Sequence, residues 1–510
     1  MMAQGPFFLG IDTGTNSSKG ILLDRDLCPV MEYSVPHEMK NPRPSWYEHD
    51  AEEDWWGDFC RISRYLIGES GIDPSLIACV GTSALGADCL PVDQELRPLR
   101  PAILYGIDAR ASEEIEELRS IFSDDPQMER VNAFNSSDIA PKIYWVRKRE
   151  PQVYQNTWKF LTASSFITAK LCGNVVIDRF LSGCFAPLYS VPQEREEPYR
   201  YAEICRMDQL ANIRESADIA GYITKRAALE TGLAEGTPVL TGTDDSGAEA
   251  ISAGIVRAGQ LMIQMGSSLY MILGTEKKLE EDTLWSEDFI CPGLYTLSGG
   301  TNAAGSLTKW YLDEIFPDVK EGSSNPYEMI LRELEDIPPG SGGLITLPYF
   351  AGERVPVNDP QACGILFGLR LSHTRAHMYH SALESTAYSI AQQIRLMERH
   401  EEVCIDRIAA TGGGAKNPLW LQIVADVTGK EIAVPEIITG AAFGDALMAA
   451  LAVGHKNMKS YEDILPFIHD SAVYRPNKER HILYRRYQEI YDTLYESTCK
   501  QAHKLYALTT

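Results

Sequence analysis

Three short segments rich in glycine, hydroxyl and carboxylate residues are the parts of this chain whose side chains could carry out chemistry. They are residues 12–19 (DTGTNSSK), 242–247 (GTDDSG) and 411–418 (TGGGAKNP). Each one follows an apolar run typical of a β-strand. A glycine lets the backbone approach a ligand closely, and hydroxyl and N–H groups can donate hydrogen bonds to phosphate oxygens. The sequence therefore predicts ligand-binding loops at strand ends.

The first segment reads as the turn of a hairpin whose strands are residues 7–11 and 20–23. Its hydroxyls and N–H groups could bind phosphate, and Asp12 could hold Mg²⁺ through water. An ordinary turn made of turn-forming residues is the alternative, and the pattern alone leaves it open. The chain has no G-x-x-x-x-G-K-[ST] segment, and no G-x-G-x-x-G follows the first strand, so any phosphate site uses another geometry.

A second hairpin repeats this design, with residues 261–265 and 269–273 as strands and Gly266-Ser267-Ser268 as the turn. Gly266 and Ser267 would then be the partners of Gly14 and Thr15, and the two turns could hold the phosphates of ATP from opposite sides. The two hairpins match in their arrangement of apolar and turn residues only, and this match indicates an internal duplication of the chain.

The segment GTDDSG contains two adjacent carboxylates at a strand-to-helix junction. Phosphoryl transfer to an alcohol needs a carboxylate that accepts the hydroxyl proton. An Asp at this point is also a frequent helix N-cap. We expect one of Asp244 and Asp245 to cap the helix and the other to react.

The segment TGGGAKNP lies between a predicted strand and a predicted helix. Three glycines allow a flat adenine or ribose to lie against the backbone, and Asn417 can offer hydrogen bonds to a nucleoside. A strand-to-helix loop needs only one glycine, so the three favour a binding function over a merely flexible loop.

The elements around these segments alternate between strands and helices, which predicts an α/β protein. The first half contains predicted strands and helices, and a new series of such elements begins near Thr237. The predicted strands are 77–80, 102–105, 238–240 and 408–411. The predicted helices are 54–67, 111–121, 248–253, 374–399, 419–428, 441–453 and 480–505. A chain of 510 residues exceeds one hydrophobic core, so we expect two domains, 1–250 and 251–510, with a ligand cleft between them.

The composition excludes several classes of function. The formal net charge is −24, from 71 Asp plus Glu against 47 Lys plus Arg, so most of the surface would repel nucleic acid. The eleven cysteines form no CxxC pair, which indicates reduced thiols in a cytoplasmic protein. The start of the chain lacks the features of a signal peptide, and no apolar stretch is long enough for a membrane span.

These segments and their order resemble the FGGY family of carbohydrate kinases over nearly the whole chain. The blocks that carry the resemblance are LGIDTGTNSSKGILLD, WYEHDAEEDWW, LRPAILYGIDARA, GTPVLTGTDDSGAEAISAG, the GSS turn, LPYFAGERVPVNDP, and ATGGGAKNPLWLQIVADVTG followed by GAAFGDALMAA. The resemblance implies a two-domain actin-like ATPase (ribonuclease H-like) fold with an interdomain cleft. Residues 1–250 would bind sugar and phosphate, and residues 251–510 would bind adenosine.

The resemblance also implies a role for individual residues. Asp245 falls on the family's catalytic base, one residue nearer to the family spacing than Asp244, and the substrates would be ATP with Mg²⁺ and a small sugar or polyol. The nucleotide-binding residues would be Asp12 (also the Mg²⁺ residue), Thr13, Gly14, Thr15 and Ser18 in the first phosphate motif, Gly266 and Ser267 in the second, and Gly300, Gly413, Gly414 and Asn417 toward the adenosine.

The departures from the family concern mainly the sugar. Leu85-Gly86-Ala87 stands where glycerol kinases carry Gln-Arg-Glu and xylulokinases Gln-Met-His, which leaves Asp88, Tyr105 and Asp108 as candidates for substrate hydroxyls. A pentulose such as xylulose or ribulose is the expected substrate. Asp445 stands where members of the family usually have Ala, so the loop that contains it could contact the nucleotide differently.

The alternative function is an ATP-binding sensor or scaffold with little catalysis, and a sugar-phosphate hydrolase is a weaker alternative. Whether the protein forms a homodimer is an open expectation.

Overall fold

The computed structural model describes residues 5–125, 134–189, 200–279, 283–323, 325–437 and 439–509. The chain divides into two compact units. The first comprises Met1–Val256, Glu287–Leu294 and Thr439–Phe467, and the second comprises Arg257–Ser286, Tyr295–Ile438 and Ile468–Thr510. Each unit contains its own cluster of buried apolar side chains.

The strands of the described residues are numbered β1 to β22 in chain order. They are Phe7–Thr13, Ser17–Leu23, Pro29–Pro36, Glu48–His49, Ile77–Ala84, Leu90–Val92, Ala102–Ile103, Lys159–Leu161, Val176–Asp178, Asn212–Arg214, Ile219–Tyr222, Pro238–Leu240, Thr243–Asp244, Gln260–Met265, Leu269–Thr275, Trp285–Asp288, Tyr295–Thr301, Ile345–Leu347, Ile365–Phe367, Arg407–Thr411, Ile432–Pro435 and Asp470–Tyr474.

The α-helices of the same residues are numbered α1 to α15. They are Asp58–Ser70, Ser112–Ile121, Ile139–Arg149, Pro151–Asn156, Ala163–Cys172, Arg179–Ser182, Lys225–Thr231, Asp245–Ser252, Gly305–Trp310, Pro317–Gly322, Pro326–Glu333, Arg375–Met397, Pro418–Thr428, Ala441–Ala452 and Lys478–Thr509. Among the described residues, no helix combines the length and the apolar character needed to cross a membrane. The predicted α/β class is confirmed.

The first unit is built on a sheet with strand order β11-β12-β5-β1-β2-β3, in which β13 also pairs with β5. Strand β1 pairs antiparallel with β2 and parallel with β5, and β12 and β13 run parallel to β5. All seven residues of β1 are buried. This agrees with its continuous apolar sequence, because a central strand covered on both faces needs no polar alternation.

The second unit contains a sheet with strand order β16-β17-β15-β14-β20-β21-β22. Strand β14 pairs antiparallel with β15 and parallel with β20, and β20 runs parallel to β21. Helix α12 lies almost wholly in the core of this unit, next to α13. The antiparallel pairing of β14 with β15 confirms the predicted strand–turn–strand at residues 261–273.

The two sheets share one pattern of strand directions. In the first unit, β3-β2-β1-β5-β12-β11 shows two antiparallel, two parallel and one antiparallel pairing. In the second, β17-β15-β14-β20-β21-β22 shows the same series. This shared series agrees with the internal duplication that the two hairpin patterns indicated, which stays a prediction.

Helix α14 packs on the sheet of the first unit although it lies late in the chain. Glycines make this packing possible: a Cβ atom added to Gly10 would overlap the carbonyl oxygen of Ala442, and one added to Gly81 would overlap that of Asp445. In the helix itself, Gly444 lies against the Ala248 carbonyl of α8. The backbones of sheet and helix therefore meet where side chains are missing.

The predicted domain boundary near residue 250 places everything after it in one domain. The structure instead returns residues Thr439–Phe467, which include α14, to the first unit. Periodicity along the chain could not show this, because an apolar helix in which six of twelve residues are alanine packs equally well against either sheet.

Replacing Gly10 by alanine should destabilise the protein. The new methyl group has no room against the Ala442 carbonyl, so α14 must move away from β1. Overpacking of this kind costs about 1–3 kcal/mol. Thermal unfolding of the variant measures the effect.

Gly68→Ala is the matched control, because Gly68 lies exposed in α1 with nothing within 4 Å of an added Cβ. It should stabilise the helix by roughly 0.5–1 kcal/mol. An equal melting temperature for the two variants would contradict the packing described for α14.

Candidate active site

The carboxyl ends of three neighbouring parallel strands meet at one edge of the first unit's sheet. Asp12 of β1 pairs with Ser83 of β5, and Ser83 pairs with Thr243 of β13. The next row contains Thr13, Ala84 and Asp244 in the same way. Adjacent strands lie about 4.8 Å apart, so two predicted site segments are only about 10 Å from each other. Ligands of open α/β sheets bind outside such strand ends.

The first phosphate turn joins β1 to β2 and is closed by the Gly14 N–H, which donates to the Ser17 carbonyl at 3.1 Å. The hydroxyls of Thr15 and Tyr105 lie 3.2 Å apart, which brings a predicted phosphate residue to a predicted substrate residue. Thr13 and Ser18 are buried, and the Ser18 hydroxyl donates to Asp58 at 2.8 Å. Asp58 therefore occupies the Ser18 side chain, whereas the buried Thr13 hydroxyl has no hydrogen-bond partner among the described residues.

Asp12 is buried at the end of β1, where it accepts a hydrogen bond from the Ser83 hydroxyl at 3.1 Å. Burial raises the pKa of Asp12, and Lys19 opposes the increase. An isolated carboxylate at this depth is unfavourable unless a cation or donor compensates it. The position thus suits a group that faces a bound cation.

Asp244 and Asp245 differ in their hydrogen bonds. Asp244 is the N-cap of α8 and accepts from the Gly247 N–H at 2.7 Å and the Ser246 hydroxyl at 2.9 Å. Asp245 is the first residue of the helix, half-buried, and among the described residues its carboxylate has no side-chain hydrogen-bond partner. One aspartate caps and the other remains available, as the sequence predicted.

Both carboxylates of this pair hold protons more tightly than usual. Burial raises the pKa of Asp245 well above its ordinary value, and the charges of Asp244, Asp12 and Glu249 raise it further. Burial likewise raises the pKa of Asp244, although the Gly247 N–H opposes the increase. Several carboxylates close together in a low-dielectric site cannot all be ionised without a compensating cation.

Asp178 fixes the strand that carries this pair. Its Oδ2 accepts hydrogen bonds from the hydroxyls of Thr243 at 2.8 Å and Ser216 at 2.9 Å, and its Oδ1 caps α6 through the Leu181 N–H. Asp178 is buried, and burial raises its pKa to about 6.

Asp445 lies under the strand ends rather than in a loop. It is fully buried in α14, and its Oδ2 lies 2.7 Å from the Ser83 hydroxyl, which also contacts Asp12. A hydroxyl has one proton, so Ser83 bonds to both carboxyls only when one of them is protonated. The Asp445 Oδ1 has no partner among the described residues, and burial raises the Asp445 pKa well above its usual range. A proton on Asp445 satisfies all these conditions.

The predicted substrate residues have different environments. Asp108 is buried and accepts hydrogen bonds from the Arg110 guanidinium and from the Tyr47 N–H at 2.6 Å, so its oxygens are already occupied. Asp88 is fully buried, and its oxygens have no hydrogen-bond partner among the described residues. Burial raises the Asp88 pKa well above its ordinary value, while the charge of Lys142 opposes this and that of Asp245 adds to it. Tyr105 is half-buried and near the phosphate turn.

The second phosphate turn belongs to the second unit. Gly266 and Ser267 follow β14, and their carbonyls accept from the Gly305 and Ala304 N–H groups at 2.9 and 3.0 Å. Gly300 lies inside β17 opposite Tyr270, where an added Cβ would overlap the Leu269 carbonyl. The packing of the strands by itself therefore requires a glycine at position 300.

The glycine segment of the second unit forms a short 3₁₀ turn, Gly413–Lys416, between β20 and α13. Gly413 is exposed with nothing within 4 Å of an added Cβ, while Gly414 packs on Met265 and Trp420. Asn417 is the N-cap of α13, because its Oδ1 accepts from the Trp420 N–H at 3.1 Å. Its amide group keeps its donors for another partner.

Comparison with known proteins decides the family. Residues 7–252 match the N-terminal domain and residues 261–453 the C-terminal domain of the FGGY family of carbohydrate kinases.

The chain belongs to the FGGY family of carbohydrate kinases. It is 27% identical to the xylulose kinase of Bacillus subtilis (strain 168), covering 96% of this chain and 97% of that protein. It is also 27% identical to the ribulokinase of Geobacillus thermodenitrificans (strain NG80-2), covering 97% of this chain and 93% of that protein. The crystal structure of xylulose kinase from Rhodospirillum rubrum matches with a TM-score of 0.86 and 25% identity, covering 98% of this chain and 100% of that one.

Family membership makes this protein an enzyme that uses ATP to phosphorylate a carbohydrate, and it confirms the predicted two-domain fold. Among the described residues, no group of three or more His, Cys, Asp or Glu side chains is arranged to hold a metal ion.

The sequence did not reveal several polar residues that lie behind the candidate active site. The main ones are His37, His49, Asp58, Ser83 and Asp178. They lie outside the glycine-rich segments, and their partners are distant in sequence. The block WYEHDAEEDWW contained a signal, since His49 is fully buried within it. Polar side chains at buried positions need partners.

Asp445→Asn tests the protonation of Asp445. The unfolded chain releases the Asp445 proton above about pH 4, whereas the folded protein keeps it. The folded protein therefore loses stability as the pH rises toward the folded-state pKa of Asp445. The neutral amide lacks this loss, so the variant's melting temperature should rise relative to the wild type as the pH increases above about 4. Each unit of pKa shift corresponds to about 1.4 kcal/mol.

Glu69→Gln is the control, because Glu69 is exposed on α1 and its replacement should give a difference that does not depend on pH. A difference for Asp445→Asn that is equally independent of pH would show that Asp445 is ionised in the folded protein.

Proposed function

We propose that this FGGY kinase transfers the γ-phosphoryl group of ATP to a hydroxyl of a five-carbon ketose, xylulose or ribulose, and that Asp245 is its catalytic base. The names of the relatives support this class of sugar, because they include xylulose kinases and a ribulokinase that align over almost the whole chain. The geometry around Asp245 supports the reaction.

The observation that carries the proposal is the availability of Asp245 beside the phosphate turn. Its neighbour Asp244 is occupied by capping, whereas Asp245 is half-buried, lacks side-chain partners among the described residues and lies close to Asp12. A general base works best when its pKa is near the working pH, and burial together with nearby negative charge moves the Asp245 pKa in that direction.

The first unit would bind the phosphates at the turn after β1. The Gly14 N–H is already bound to the Ser17 carbonyl, so the Thr15 N–H and hydroxyl are the groups that would meet a phosphate. In the second unit, the turn at Gly266 and Ser267 would be the second phosphate contact. The segment with Gly413, Gly414 and Asn417, together with Gly300, would lie on the adenosine side. The exposed backbone at Gly413 and the remaining donors of Asn417 support this role.

Asp12 fits a role as the Mg²⁺ residue of this kinase. Mg²⁺ is usually held by one or two carboxylates together with substrate phosphates and several waters, so a single buried carboxylate beside a phosphate turn suffices. When bound, the ion would neutralise charge on the phosphates. Ser83 orients Asp12, and Asp445 orients Ser83.

Among the three candidate substrate residues, Tyr105 and Asp88 have surroundings that suit sugar binding better than those of Asp108. Tyr105 lies beside Thr15, where its phenol can donate to a sugar hydroxyl, and the unpaired oxygens of Asp88 can accept from one. Asp108 would have to release Arg110 first. Gly86 and Ala87 carry small side chains or none next to the proposed sugar site, and a Cβ added to Gly86 would lie 3.1 Å from the Asp244 side chain.

We also propose a cytoplasmic enzyme. All eleven cysteines are free thiols, which agrees with a reducing compartment. The acidic surface opposes nucleic acid, and a homodimer is compatible with this assignment.

Asp245→Asn and Asp244→Asn separate the roles of the two aspartates. Asp245→Asn should keep nucleotide affinity and lose most turnover, roughly 100-fold or more, because no base remains. Asp244→Asn should stay folded, since Asn caps a helix about as well as Asp. It removes a charge that raises the Asp245 pKa, so the acid limb of kcat/KM should move to lower pH.

Steady-state kinetics across pH with nucleotide binding in parallel provide the measurement. Near-normal turnover of Asp245→Asn, or loss of turnover in Asp244→Asn alone, would reverse the assignment of base and cap.

A panel of ketopentoses, polyols and tetritols tests the substrate. ADP release should depend on an added sugar and be fastest with xylulose or ribulose, and chelation of divalent metal should abolish it. Slow ATP turnover that no sugar accelerates would instead favour the ATP-binding sensor or scaffold.

A further inference from the structure

His37 lies behind the first phosphate turn and contacts it twice. Its backbone N–H donates to the Asn16 carbonyl at 3.0 Å, and its ring Nε2 lies 2.9 Å from the Gly14 carbonyl oxygen. The other ring nitrogen, Nδ1, lies 2.7 Å from Asp58 Oδ2. The side chain of His37 is 5% exposed and that of Asp58 is fully buried.

Both groups that bracket this ring are acceptors. A backbone carbonyl oxygen cannot donate a hydrogen bond, and an ionised carboxylate cannot either. Asp58 also receives the Ser18 hydroxyl at 2.8 Å and the Arg61 guanidinium, as suits an ionised carboxylate. The two contacts of His37 are therefore both hydrogen bonds only when both ring nitrogens carry protons.

A neutral His37 would lose one of these contacts. With the proton on Nε2, the Nδ1 lone pair would face the Asp58 carboxylate, and with the proton on Nδ1, the Nε2 lone pair would face the Gly14 carbonyl. Either arrangement brings two buried acceptors together, which costs the energy of an unsatisfied polar contact.

The Gly14 carbonyl controls the direction of the next N–H group. In a trans peptide the C=O of one residue and the N–H of the following residue point in opposite directions. Holding the Gly14 carbonyl inward against His37 thus directs the Thr15 N–H outward, the direction in which the turn would meet a phosphate. A reversed peptide would present a carbonyl oxygen to the anion instead.

We propose that His37 is a positioning residue that acts as an imidazolium, bridging Asp58 to the Gly14 carbonyl so that the Thr15 N–H faces a nucleotide phosphate. This inference rests on the proposed phosphate role of the turn. It adds a dependence of nucleotide affinity on the protonation of a residue outside the glycine-rich segments. The positive charge also lies behind the turn of a strongly acidic chain, where it favours an anion.

The groups around His37 are consistent with a charged ring. Burial lowers the pKa of His37, but the hydrogen bond and charge of Asp58, the Gly14 carbonyl and the charge of Asp54 raise it above the ordinary value. Arg61 shares Asp58, and Lys40 is another nearby cation, acting on Asp54 and His49.

The adjacent His49 stays neutral, because its Nδ1 accepts from the Trp55 indole at 3.0 Å. Burial together with the charge of His37 lowers the His49 pKa to about 4. The two imidazole rings, 5.0 Å apart, thus carry one charge between them at neutral pH.

Two measurements on the full chain test the proposal. Protein with ¹⁵N-labelled histidine should show both nitrogens of His37 protonated at neutral pH by NMR, with His37→Gln used to assign the signal. ADP binding to the wild type should weaken by about tenfold as the pH rises through the His37 pKa, which lies above its ordinary value, because losing one hydrogen bond costs about 1 kcal/mol or more. Adenosine, which lacks phosphates, should bind equally well throughout.

Variants give the matched comparisons. His37→Gln should bind ADP weakly at every pH and adenosine normally. Asp58→Asn should shift the midpoint of the wild-type pH dependence to lower pH, since it removes the charge that stabilises the imidazolium. His503→Gln alters another His–Asp pair, with Asp359 at 2.6 Å in the second unit, and should leave the ADP profile unchanged.

The outcomes distinguish this inference from the proposed function. A singly protonated His37 at neutral pH would overturn the inference and leave the phosphate turn untouched. A doubly protonated His37 whose replacement leaves ADP affinity unchanged would also overturn the inference, whereas wild-type protein that binds ADP no more tightly than adenosine would overturn the phosphate role of the turn. Equal weakening of ADP and adenosine in His37→Gln would show a general structural defect and also overturn the inference.

Discussion

The parallel pairing of β1, β5 and β13 is the constraint on which the candidate site depends. It aligns Asp12, Ser83 and Thr243 in one row, so a residue from the start of the chain and one more than 200 positions later lie at the same sheet edge. Asp245, the proposed base, follows in the first turn of α8, where the capping residue Asp244 fixes the helix. Without this register the turn after β1 and Asp245 would not lie at the same sheet edge.

Negative charge dominates this edge, in a protein that must bind a polyanion. Asp12, Asp244, Asp245 and Asp445 are close together, and burial raises the pKa of each. Protonation of some of these groups and the charge of Lys19 reduce the net negative charge at this edge, and the proposed imidazolium of His37 would reduce it further. In the proposed function, the turn after β1 would supply the local attraction for phosphate that the overall field of the protein opposes.

The glycine-rich segments could be found from the sequence because their function depends on local chemistry. A strand followed by glycine, hydroxyl and carboxylate residues indicates a turn at that point, and both hairpins and the Gly412 segment lie where the patterns placed them. Helix α8 begins at Asp245, before the predicted start at residue 248. The two aspartates also divided as expected into a cap and an available carboxylate. The return of residues 439–467 to the first unit was missed, because apolar periodicity shows that a helix is buried but not against which sheet.

The sequence by itself determined the fold class and the family through the order of its elements and motifs along the chain. It determined the loops that could bind phosphate and the candidate base through residues within a few positions of one another. Tertiary structure alone decided which side chains those loops present. Ser18 turned inward to Asp58, Asp108 was occupied by Arg110, and Asp445 lay beneath Ser83. The physical reason is that hydrogen bonds between buried groups join residues far apart in the chain, and only the packed fold fixes their partners.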